Sequence, residues 1–246
     1  MVDSFVCIDL ETTGLNPKTD RIIEIGAVKV ENWQIVDTFQ SFVNPERELT
    51  QRVTELTGIT GGDTHGAPKI QDIFPMFHEF LGDYVLLGHS VNFDYAFLKK
   101  AAVNQRFTFE KRAVDTLKLA RWYLSGLEHK NLEFLCEYYA IPHQAHRALE
   151  DAKATVCLYE RLVRQFFCEK EAGRFEPFIL QYQVKRDTPA TNAQKERLYG
   201  LIELHHIQME QDVEGLTRSE ASRITDKILL KYGRSSLPGG RKGRRP

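Results

Sequence analysis

Three apolar runs separated by short polar turns open the chain. Residues 4–10 (SFVCIDL), 22–30 (IIEIGAVKV) and 34–43 (QIVDTFQSFV) are rich in β-branched and aromatic side chains and predict strands. Connections this short predict an antiparallel meander. After Asn44-Pro45 the period changes: Ile70, Ile73, Phe74, Phe77, Phe80 and Leu81 share one face of a helix, with Pro75 expected to kink or delay it. Residues 85–87 predict a buried strand and 92–103 a helix with Phe93, Phe97 and Ala101 inward, started by Ser90 or Asn92 as cap. A brief strand at 113–114 and helices over 116–123, 131–139 and 148–167 follow, the last with Ala152, Val156, Tyr159, Val163 and Phe166 as its buried stripe. Three antiparallel strands followed by β-α-β-α units predict an α/β fold, a mixed sheet flanked by helices.

The apolar pattern breaks between residues 167 and 191. This predicts a first domain over 1–168, a linker over 169–190, a small helical module over 191–233 and a basic disordered tail over 234–246. Helices are expected over 194–206 and 219–232, joined by a turn through Gly215, and TRSE at 217–220 is a capping box for the second. The sequence has no internal repeat of 20–50 residues.

Composition adds boundaries to this picture. A chain of 246 residues, 42% hydrophobic and 27% charged, suits one sizeable core with a small appendage. Its apolar runs fall short of the ~18 residues of a membrane span, and its first residues lack a basic stretch leading into a long apolar one; a cytoplasmic protein without a membrane partner is expected. Cys7, Cys136, Cys157 and Cys168 lie in apolar surroundings without C-x-x-C spacing and read as reduced core residues. Residues 1–165 hold 18 basic against 23 acidic side chains, the remainder 15 against 11. The basic end, closing in GGRKGRRP, reads either as a contact for a polyanion or as a solubilising tail.

Candidate chemistry lies in three separated segments. In FVCIDLETTGL, Asp9 and Glu11 are two apart on a strand and therefore point the same way, and two acids directly after a buried apolar run are costly without partners. Thr12, Thr13 and Gly14 then turn the chain and offer hydroxyls and backbone N–H groups to a sugar or phosphate. Asp94 follows the strand VLLG near the start of a helix; taken singly it reads equally well as a capping acid. His146 and Asp151, five apart, face together only if His146 lies in the loop IPHQAH and Asp151 in the first turns of the next helix. His65, His89, His143, His205 and His206 read as surface or structural residues, and Asp115 as an N-cap. Four carboxylates gathered in one pocket would repel one another unless cations joined them.

The segments FVCIDLETTGL, LLGHSVNFDYAFL and HRALEDAKAT resemble, in order and spacing, the three motifs of DEDD exonucleases of the histidine subtype, in particular the epsilon-type proofreading exonucleases of bacterial DNA polymerase III. The resemblance spans residues 1–167 and implies a ribonuclease H-like fold, with Asp9, Glu11, Asp94 and Asp151 binding two Mg²⁺ or Mn²⁺ ions and His146 as general base. It places Thr12, Thr13, Gly14 and Leu15 against the terminal nucleotide. It further implies release of nucleoside 5′-monophosphates from the 3′ ends of single-stranded or frayed DNA, with a separate DNA polymerase or clamp as partner. Where many relatives read GHN, this chain has His89-Ser90. The alternatives are an exoribonuclease trimming RNA 3′ ends and a non-catalytic polymerase-associated scaffold. The C-terminal module is similar, more weakly, to helical units that accompany nucleic-acid-processing proteins.

Overall fold

The computed structural model describes residues 1–209 and 212–233, so the expected basic tail over 234–246 lies outside the described residues. The described residues divide into two compact units, one of residues 1–185 and one of those from 186 onward. In the first, β1 (Phe5–Thr12), β2 (Ile22–Glu31) and β3 (Gln34–Phe42) make the antiparallel meander. Short helices α1 (Gln51–Thr57) and α2 (Gly61–His65) lead to α3 (Ile70–Leu81), then β4 (Val85–Gly88), α4 (Asn92–Gln105), β5 (Arg112–Asp115), α5 (Thr116–Tyr123), α6 (Leu132–Tyr138) and α7 (Ala148–Phe166). A 3₁₀ turn over Glu169–Phe175 precedes β6 (Phe178–Ile179). The six strands form one mixed sheet in the order β3-β2-β1-β4-β5-β6, with β1, β4 and β5 mutually parallel. Among the described residues no helix is long and apolar enough to cross a membrane.

Residues 5–8 of β1 are buried on both faces because helices cover both sides of the sheet. Val6, Ile8 and Leu10 pack into a core with α3 and α4, whereas Phe5 and Cys7 pack into a second core with α7. Alternation along the strand therefore carries Asp9 and Glu11 onto the α7 side. α3 runs through Pro75 without interruption, held by the fully buried Phe74 and Phe77 on either side of it.

Three expectations are corrected. The stretch expected as a linker is largely part of the first unit: Phe175 and Leu180 are buried in its cores and β6 pairs with β5. The N-cap of α4 is Val91, and no side chain, of Ser90 or Asn92 included, caps the helix. Of the four cysteines, all free, Cys7 and Cys136 are buried, but Cys157 and Cys168 are exposed.

α7 lies unusually close to β2. A Cβ placed on Gly26 would come within 2.1–2.4 Å of the Ala148 and Leu149 backbone, and only glycine leaves room for that approach. Gly26→Ala should therefore push α7 off the sheet and destabilise the first unit by ~1–3 kcal/mol or more, as overpacking against backbone does; a urea denaturation midpoint equal to that of the parent would refute this.

The second unit pairs α8 (Asn192–His205) with α9 (Arg218–Tyr232) across a 3₁₀ turn at Val213–Gly215. Thr191 with Gln194, and Thr217 with Glu220, form reciprocal capping boxes. Leu198, Leu201, Val213, Leu216, Ala221 and Ile228 make its small core.

Candidate active site

β1 sets the first two acids. It pairs with β2 along its whole length, Asp9 opposite Gly26 and Glu11 opposite Glu24, but with β4 only as far as Cys7. Beyond Cys7 the edge toward β4 is open, and the Leu10 N–H, lacking a strand partner there, donates to Asp94 Oδ1 at 3.0 Å. Asp94, buried in the first turn of α4, is thereby tied to the strand that carries Asp9 and Glu11.

The remaining groups come from the entry to α7. His146 lies outside the helix with φ +65°, a left-handed conformation that costs a non-glycine residue about 1 kcal/mol or more and turns the chain sharply into α7. Asp151 sits in the first turn, buried, and accepts the Arg147 N–H at 3.0 Å on Oδ2. Asp9, Glu11 and Asp151 each offer a carboxylate oxygen within 4.8 Å of the other two.

This crowding governs their protonation. Burial, reinforced by Asp94, Asp151, Glu11 and Glu24, drives the Asp9 carboxyl well above its ordinary range. Burial, then Asp151 and Glu24, push Glu11 up to about 8, with Arg147 opposing. Burial raises Asp94 too, against the pull of its bonds to backbone N–H groups. Asp151 is raised by burial although His143 and the Arg147 N–H pull the other way. A divalent cation would reverse the balance by replacing mutual repulsion with shared attraction, and an all-carboxylate donor set suits a hard, oxygen-seeking ion. The residues present therefore fit such a metal.

A raised carboxyl contributes stability that is complete below its ordinary value and lost as pH climbs through the folded-state value. For Glu11 that window runs from 4.5 to about 8. In EDTA the parent should match Glu11→Gln at pH 4 and be the less stable of the two at pH 9, and Mg²⁺ should close the gap. Urea midpoints that keep the same difference at both pH values would contradict this.

The expected nucleotide contacts form a compact turn. Thr12 Oγ1 donates to the Gly14 carbonyl at 2.7 Å, Thr13 Oγ1 accepts from the Arg21 N–H at 2.9 Å, and Asp20 fills the space a Gly14 side chain would need. Leu15, an apolar side chain in the same segment, stands 85% exposed.

One histidine departs from the expected reading. His143 donates through Nε2 to Asp151 Oδ1, a buried contact to a member of the acidic cluster that its sequence setting does not disclose. The only signal was its place in the loop that also holds His146. His89 bonds Thr116 Oγ1 at 2.9 Å and the Lys130 carbonyl at 2.8 Å, and burial lowers its pKa. Asp115 caps α5 through Leu117 and Lys118 and also receives the Ser90 N–H at 3.1 Å, holding a residue at φ +72° in the turn before α4.

The exonuclease family model RNase_T matches residues 6–159. DNA polymerase III PolC-type proteins are similar: that of Oceanobacillus iheyensis is 38% identical over 243 residues, 93% of this chain and 17% of that protein. That of Thermotoga maritima is 39% identical over 261 residues, 96% of this chain and 18% of that protein. The chain thus spans less than a fifth of the length of these relatives. Among solved structures, exonuclease X in complex with 5′ overhanging duplex DNA aligns with 70% of this chain and 99% of its own, at TM-score 0.56 and 24% identity. The nuclease domain of 3′hExo, a DEDDh family member bound to rAMP, aligns with 74% and 98%, at TM-score 0.59 and 23% identity. The mixed sheet flanked by helices is the ribonuclease H-like fold of those exonucleases. With the family model running from β1 through α4 into α7, and so across every acidic residue of the site, this chain belongs to the RNase_T exonuclease family.

Proposed function

We propose that the chain is a 3′-to-5′ exonuclease that removes nucleoside 5′-monophosphates from single-stranded or frayed DNA ends, in proofreading or repair. The observation that carries the reading is the convergence of Asp9, Glu11 and Asp151 within 4.8 Å, with Asp94 bonded to the strand between the first two. In this reading Asp9, Glu11, Asp94 and Asp151 hold two divalent cations, Mg²⁺ or Mn²⁺. Metal bound there would make a hydroxide-like nucleophile at neutral pH and stabilise charge on the departing 3′ oxygen. His146 takes the proton from the attacking water, a task for which imidazole is suited near neutral pH. Thr12, Thr13 and Gly14 contact the sugar–phosphate of the terminal nucleotide, and the exposed Leu15 lies beside its base.

The DNA polymerase III PolC-type relatives support DNA as substrate and a DNA polymerase context. The second reading, an exoribonuclease, is favoured by the rAMP bound in the 3′hExo nuclease domain; discrimination would come from contacts around the 2′-hydroxyl. The scaffold alternative is disfavoured because the acidic set is complete. The test incubates the protein with matched 5′-labelled single-stranded DNA and RNA oligomers in Mg²⁺, Mn²⁺ or EDTA. A metal-dependent ladder from the 3′ end of DNA is the expected result. Faster shortening of RNA would favour the exoribonuclease, and intact oligomers in every metal would overturn both.

A further inference from the structure

Glu24 is a fully buried carboxylate on β2, directly opposite Glu11 in the strand register. Both of its oxygens are used. Oε1 accepts from Gln40 Nε2 at 2.9 Å and Arg147 Nη2 at 3.1 Å, and Oε2 from the Ala148 N–H at 3.2 Å and Arg147 Nε at 3.4 Å. The Arg147 guanidinium also lies 5.3 Å from the centre of the Phe42 ring. Arg147 and Ala148 form the junction between the His146 turn and α7, and Gly26, two residues along β2, lets the helix backbone touch the sheet there. A buried charge with four donors is costly to disturb and geometrically demanding, so this junction has one seat on β2.

We propose that Glu24 is a positioning residue. Together with Arg147 it clasps the entry of α7 to β2, fixing His146 and Asp151 in register with Asp9 and Glu11. The inference deepens the exonuclease reading and rests on it for the identity of the positioned groups. Groups that orient metal ligands typically change affinity or activity ~10–100-fold when removed. Glu24→Ala should weaken Mn²⁺ binding, followed by titration calorimetry on the full chain, within that range, and lower kcat on a labelled single-stranded DNA oligomer more than it raises KM.

Charge and position are separated by two further variants. Glu24→Gln keeps an acceptor for the helix entry and should stay within a few-fold of the parent in Mn²⁺ affinity; equal weakening by Gln and Ala would mean that the charge alone matters. Arg147→Met, which leaves Glu24 its bonds from Gln40 and the Ala148 N–H, should also weaken Mn²⁺ binding. Simple electrostatics requires the reverse, since a nearby cation is lost, so unchanged or tighter binding would overturn the proposal. Weaker Mn²⁺ binding by Glu24→Ala and Arg147→Met in a parent that degrades no oligomer would uphold the clasp and defeat the exonuclease reading. Unaltered binding and turnover by these variants in an active parent would defeat the clasp alone.

Discussion

Asp9→Ala should remove oligomer degradation by ~10³-fold or more while making the metal-free protein more stable. Asp9 is the acid on which the others converge: Asp94, Asp151, Glu11 and Glu24 all disfavour its ionised form, after burial. A cation sited among them needs that carboxylate most. Metal stabilisation of the reacting phosphoryl group is worth several kcal/mol, and each ~1.4 kcal/mol is a factor of ten in rate. The opposite sign in stability follows from the same crowding, because deleting one of several like charges relieves repulsion when no cation is bound. Initial rates at saturating Mn²⁺, paired with urea midpoints in EDTA at pH 8, test both halves. Turnover equal to that of the parent would sink the assignment of the site.

His146→Ala should lower kcat by ~10²–10⁴-fold, the usual effect of losing a general base, and leave Mn²⁺ affinity close to the parent's. The left-handed backbone at His146 supports this role, since strained residues of this kind cluster at working sites. His143 is the control, because it already bonds Asp151 and acts through that carboxylate in this scheme. His143→Ala should therefore disturb metal affinity as well as rate, whereas His146→Ala should disturb rate alone. A larger, rate-only loss from His143→Ala would move the base from one histidine to the other.

Local pattern carried most of the fold. The meander strands, α3, α5 and α7 are readable because alternation and 3.6-residue periodicity are properties of short stretches. The acids of β1 were legible for a related reason: an Asp-x-Glu pair closing a fully apolar strand is expensive unless something receives it. Residues 169–185 were not readable as part of the first unit. Their polar surface composition looks like a linker, and only the pairing of β6 with β5 and the burial of Phe175 and Leu180 draw them in.

At the site, the sequence by itself determined which acids are available, which two share a strand face, and that Asp151 lies in the first turn of its helix. Tertiary structure alone decided that Asp94 would reach the open edge of β1, that His143 would touch Asp151, and that Glu24, which reads as one polar residue in an apolar strand, would hold the entry of α7. The physical reason is that alternation and helical period act within a segment. Hydrogen bonds such as Ala148 to Glu24, 124 residues apart, exist only after packing has brought their partners to within 3.2 Å.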